Sequence, residues 1–209
     1  MAPDFTMTLV TTIGFAMVVI GYIGWRFDGA AALSFFIISG GFSAIMDFIS
    51  AFAAHNYEYP GQSRLWVFTF ILFGWTGVCG SCLFMAEGIL ARRGLDLMSQ
   101  ENLVWQAPLL TGIIAVLLDL FIDPIAVKAG YWIWFVKGNV YYDIPLLNFV
   151  GWFVLMFLSP LAWIFINRRR HWSFIKKIAG AITAIIPLAI SSVVLSLILN
   201  RLIAAIGWQ

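Results

Sequence analysis

Six stretches of this chain, each about twenty residues or longer, run with hardly a charge, and that is the length an α-helix needs to cross a bilayer. They cover residues 7–25, 30–54, 65–91, 104–126, 144–166 and 177–207. The rest of the composition agrees: 62% of the residues are hydrophobic and 11% charged, with mean hydropathy +0.96. A water-soluble domain cannot hide that much apolar surface. The expected fold is therefore all-α, a polytopic transmembrane bundle of about six spans, with residues 1–209 as one integral-membrane domain. Pro187 in the last stretch predicts a kink or tilt, or a split into two pieces that would make seven spans.

The formal net charge of +2 is too small to suggest a nucleic-acid partner, and the basic residues sit in short loops. With six spans, one side holds Arg26, Arg92, Arg93, Arg168, Arg169, Arg170, Lys176 and Lys177, and the other holds Arg64, Lys128, Lys137 and Arg201. The bias toward the first side predicts that it faces the cytoplasm, with both termini outside a cytoplasmic membrane. The opening "MAPDFTMTLV" lacks the basic region of a cleaved signal, so the first span is expected to remain as a helix. Cys79 and Cys82 in "GWTGVCGSC" share a helix face, and without further ligands nearby they read as small residues that let helices approach rather than as a metal site.

Ionisable groups inside spans are costly and usually face a bundle interior. Asp47, Glu87, Asp119 and Asp123 are the candidates. Asp47 and Asp119 each lie seven residues before the same-side end of their spans, roughly 10 Å below that boundary. Asp123 shares a helix face with Asp119, one turn on. These three are expected to meet in one cavity, with Glu87 at the opposite end. Three of the four have a plain alternative. Glu87 would snorkel beside Arg92 and Arg93, and Asp47 would bond a Ser or Trp of a neighbouring helix. Asp123, which precedes Pro124, would end the helix and cap the turn. Asp119 sits in "IIAVLLDLF", with no local reason for a charge. Two aspartates so close in an apolar setting are not expected to ionise together, and a carboxyl that keeps its proton is a proton donor.

An aromatic stretch follows: Tyr131, Trp132, Trp134 and Phe135, then a turn at Lys137-Gly138-Asn139. Such residues normally form an interfacial belt, yet their faces also stabilise cations where water is scarce. Asn148, early in the fifth span, is placed either to orient a water or to bond between helices.

The stretch "DLFIDPIAVKAGYWIW" followed by "YYDIPLLNFVGWF" resembles the signature half of a carotenoid-biosynthesis membrane family, the one that contains bisanhydrobacterioruberin hydratase and related carotenoid hydratases. The pattern is an Asp, an Asp-Pro, a Trp-containing turn and a Pro-x-x-Asn-Phe-x-Gly-Trp run. It falls on Asp119, Asp123, Pro124, Trp132, Trp134, Pro145, Asn148, Phe149, Gly151 and Trp152, and covers about a quarter of the chain. The family's pattern also has a Glu in the third span, which Glu87 would match. The Gly-, Phe- and Tyr-rich segment that follows it in the family is missing from "GILARRGLDLMSQENLVW".

The resemblance implies addition of water to a carotenoid end-group double bond. A neutral carboxyl of Asp119 or Asp123 would protonate the alkene, and Trp132 and Trp134, with Tyr131 and Trp152 nearby, would face the cation and the substrate. The other carboxylate or Asn148 would orient the attacking water, with Asp47 and Glu87 as further acids. No cofactor is needed for such a reaction. A long polyene is expected to lie against the shallow surface of Gly74, Gly77 and Gly80. Two other readings stay open. One is an isoprenoid cyclase or isomerase with the same first step, and the other is a non-catalytic lipid- or pigment-binding subunit. The partners implied are the bilayer and a hydrophobic isoprenoid, and self-association into a homo-oligomer is left open.

Overall fold

A computed structural model describes residues 5–136 and 139–205. Six helices in it are long and apolar enough to cross a membrane. They are α1 (Phe5–Arg26), a second span assembled from three segments, α4 (Arg64–Leu90), α5 (Leu103–Ala129), α6 (Leu146–Asn167) and α7 (Phe174–Ala205). The second span runs as α2 (Gly29–Phe35), a π-helix (Phe36–Phe42) and α3 (Ser43–Phe52). The expected spans hold to within three residues at each described end, and the last is one helix of 32 residues that carries Pro187 inside it.

The segmented second span sits at the centre, against α1, α4, α6 and α7. Apolar burial gives no net drive between helices in lipid, so polar contacts and close packing hold such interfaces. Trp163 on α6 donates its indole N–H to the Ala31 carbonyl at 2.9 Å. Asn167 donates to Ser34 Oγ at 3.0 Å, and the hydroxyls of Ser43 and Ser159 lie 3.2 Å apart.

Small residues set the other interfaces. A Cβ on Gly77 would strike the Phe15 ring, and one on Gly80 would strike Val19, both on α1. Of the Gly74–Gly77–Gly80 face expected to lie along a polyene, Gly77 and Gly80 are therefore covered by α1, while Gly74 lines a cavity inside the bundle. Cys79 and Cys82 are buried in the core, as small packing residues would be.

The helix ends have visible causes. Asp28 accepts from the Ala31 amide at 2.6 Å and caps α2, and Ser63 accepts from Trp66 at 3.3 Å and caps α4. Helix α5 does not stop at Asp123. It passes through Pro124 and ends at Gly130, whose φ of 77° is the left-handed turn that suits glycine. The capping role considered for Asp123 is thereby overturned. Proline removes one amide and bends a helix, but a membrane bundle can re-satisfy the freed carbonyl.

At the arginine-rich end, Glu87 is 4% exposed and bonds both guanidinium nitrogens of Arg26, at 2.5 and 2.9 Å. It also accepts from the Leu97 amide at 2.8 Å. The partner is thus Arg26 rather than Arg92 or Arg93, because α1 packs directly along α4. Arg168 Nε donates to the Leu97 carbonyl at 2.9 Å and a second Arg168 nitrogen to the Gln100 carbonyl, so the 91–102 loop is clamped from both sides.

At the other end, two short strand pairs form over the bundle. Strand β1 (Tyr57–Glu58) pairs antiparallel with β2 (Ile133–Trp134), Tyr57 opposite Trp134. Strand β3 (Asn139–Tyr141) pairs with β4 (Ile144–Pro145). The turn expected at Lys137-Gly138 lies outside the described residues. The first pair brings Tyr57 and Trp134 together beside the acids.

Candidate functional site

Helix α5 presents Asp119 and Asp123 one turn apart on its buried face, and both are almost wholly enclosed. Helix α6 starts at Leu146, directly after the extended Pro145. That start puts Asn148 in its first turn, level with the pair. The Asn148 amide nitrogen lies 2.6 Å from an oxygen of Asp119 and 2.6 Å from an oxygen of Asp123. One NH₂ group thus donates to both carboxyls. Two carboxyl oxygens thus converge on one nitrogen. The other Asp119 oxygen, Oδ1, is buried with no hydrogen-bond partner among the described residues.

Asp47 belongs to a second cluster beside the first. Trp75 Nε1 donates to its Oδ2 at 2.7 Å, and the Tyr57 hydroxyl donates to its Oδ1. The Trp partner is the alternative weighed for Asp47 from sequence. Tyr57, from the loop over the bundle, had no local signal beyond the aromatic spacing of "NYEYP".

A cavity of about 700 Å³ joins the two clusters. Asp47, Asp123 and Asn148 line it, and its walls are Trp75, Trp132, Trp134, Trp152, Tyr57 and Tyr59. The rings brace one another: Trp75 and Trp152 centroids are 4.7 Å apart, and Tyr57 and Trp134 4.5 Å. Among the lining residues there is no Lys, Arg or His. The walls thus combine acid oxygens with aromatic faces, a setting that favours positive charge. Burial first, then the nearby Asp47 and Asp123, push the Tyr59 hydroxyl well above its usual range, so it faces the cavity as a neutral phenol.

Three expected site residues stand apart from this lining. Asp119 lies behind Asp123 and reaches the cavity only through Asn148 and Asp123. Tyr131 turns toward α1, its hydroxyl 3.1 Å from Thr8 Oγ1 and its ring against Phe5. Glu87 is at the far end of α4, in the Arg26 pair described above. Sequence reading missed Tyr57, Tyr59 and Trp75, and also Ser192, Ser196 and Asn200 of α7, which line the same cavity. The last three stand at four-residue intervals, a period that could have marked a polar face. No three His, Cys, Asp or Glu residues gather as a metal site among the described residues.

Fold and site together define a multi-pass integral membrane protein with an acid-bearing aromatic cavity inside the bundle. The sequence matches the carotenoid biosynthesis protein family over residues 5–207, and the chain belongs to that family. Its role is accordingly in carotenoid biosynthesis. No curated protein and no solved structure matches the chain.

Proposed function

We propose that this protein is a hydratase-like enzyme that adds water to an isoprenoid C=C at a carotenoid end group. The observation that carries the proposal is the shared clip of Asn148 on Asp119 and Asp123, with Asp123 alone of the two reaching the aromatic cavity. Asp123 is the acid. Its carboxyl proton adds to the less substituted carbon of a trisubstituted alkene, and the π-electrons form the new C–H bond. The tertiary cation left behind faces Trp132, Trp134 and Trp152 and the nearby carboxylates. A water oxygen then forms the C–O bond, and the proton it sheds returns to the carboxylate. Asp119 acts through Asn148, holding the Asp123 carboxyl and sharing its proton.

The deciding experiment is expression in a lycopene-producing host, with pigment masses compared between the parent and Asp123→Asn. A product heavier by one water, formed by the parent and lost in the variant, is the expected result. A product of unchanged mass would replace hydration with cyclisation or isomerisation. Pigment that stays bound to both proteins but unconverted would make the chain a binding subunit.

A further inference from the structure

Helix α7 is the least buried of the six spans, yet one of its faces is polar. Ser192, Ser196 and Asn200 stand at i, i+4 and i+8, so they form one file along the helix. All three line the cavity that holds Asp123 and Asn148. Val194 and Ile198, on the face turned away, are 50% and 49% exposed. The file begins five residues before the end of α7 at Ala205 and runs inward for roughly 12 Å.

Ser192 is the telling member. It is 4% exposed, and its hydroxyl has no hydrogen-bond partner among the described residues. Helical Ser and Thr commonly bond back to the carbonyl four residues earlier. Ser39, Thr111 and Thr183 of this chain do so, and Ser192 does not. In the same cavity the indole N–H of Trp134 is buried without a partner among the described residues. Leaving such a group unpaired is costly, and a cavity that holds it together with the Ser192 hydroxyl calls for a small polar occupant. Ser50 and Asn56, bonded to each other at 3.0 Å, extend the polar lining.

We infer that the Ser192–Ser196–Asn200 face of α7 conducts water into the cavity, and that Ser192 positions the molecule that attacks. The cation accepts the oxygen lone pair, and the released proton goes to the carboxylate emptied in the first step. The positioning role rests on the hydration reading of the site; the presence of water along α7 does not.

The test has two arms. Single cysteines at Ser196, Asn200, Val194 and Ile198 are treated in native membranes with a charged, water-soluble thiol reagent, which only a hydrated thiolate attacks. The parent, whose two cysteines are buried, is the background. Ser196→Cys and Asn200→Cys should react at least about tenfold faster than the two lipid-face positions, since the thiolate fraction sets the rate. Equal rates would overturn the water path, whatever the protein does to carotenoids. In the second arm, Ser192→Ala should raise the share of unhydrated isomer among the products, and Ser192→Thr should restore hydration. An unchanged product ratio in Ser192→Ala would overturn the positioning role. If the parent yields no hydrated product at all, the hydration reading and the positioning role fall together. The labelling arm then still decides whether α7 carries water.

Discussion

Asp119 lies one helical turn behind Asp123, and each offers an oxygen to the same amide nitrogen at 2.6 Å. The pair is therefore asymmetric. One carboxyl faces the cavity and the other is sealed behind it. Asp123→Asn should cost turnover at least about a hundredfold, the lower end of what a general acid contributes. Asp119→Asn should cost less and leave substrate affinity in place, because it alters the acid's support and not the acid. Rates measured in membranes on an acyclic carotenoid check this, and full activity in Asp123→Asn would remove that residue from the acid role.

Asp47 depends on a loop residue. Tyr57→Phe removes one of its two side-chain donors and leaves Trp75 in place. A hydrogen bond to a charged group is worth about 1.5–3 kcal/mol, so a fall in turnover of about tenfold or more is expected if Asp47 takes part in the reaction. Because the two residues act as one unit, Asp47→Asn in the Tyr57→Phe background should cost less than in the parent. Additive losses would show that they work separately.

Spans and acids were legible for the same reason: in a chain so apolar, any charge away from a loop stands out. The four-residue spacing alone puts Asp119 and Asp123 on one face, and equal depth links them to Asp47. What stayed hidden was long-range. Nothing in "NYEYP" says that Tyr57 will pair opposite Trp134 and drop its hydroxyl onto Asp47. The Gly77 and Gly80 face read as open surface because sequence cannot show that Phe15 and Val19 fill it. Proline after Asp123 left a helix stop open as an alternative, although the expected span ran to residue 126, and local sterics could not show that the bundle carries α5 to Ala129.

Glu87 is a structural acid in this geometry, tying α1 to α4 and holding the Leu97 amide. Glu87→Ala should destabilise the protein by about 3 kcal/mol, as breaking one partner of a buried pair does. Thermal unfolding in detergent measures it. Glu87→Ala together with Arg26→Met should recover part of the loss, whereas a fully additive double variant would contradict the pairing.

The Asn148 clip requires α5 and α6 to stay close. A Cβ on Gly112 would sit 2.9 Å from a Phe153 ring carbon and 3.0 Å from the Phe153 carbonyl oxygen. The carbonyl belongs to the backbone and cannot swing aside. Gly112→Ala should therefore destabilise by about 1–3 kcal/mol, the usual cost of overpacking, and lower turnover with it. Unchanged melting and activity would mean that the interface has slack to spare.

The π-helical segment at Phe36–Phe42 sets where Asp47 points. A wide turn accommodates an extra residue that a regular helix would not, and every side chain beyond it is rotated accordingly. Loss of a single codon anywhere in this segment would swing Asp47 by about 100° around the helix, away from Tyr57 and Trp75. Substitutions there exchange one side chain; an in-frame deletion would disconnect an entire acid from its site. For the site, the count of residues between Asp28 and Asp47 therefore matters more than their identities.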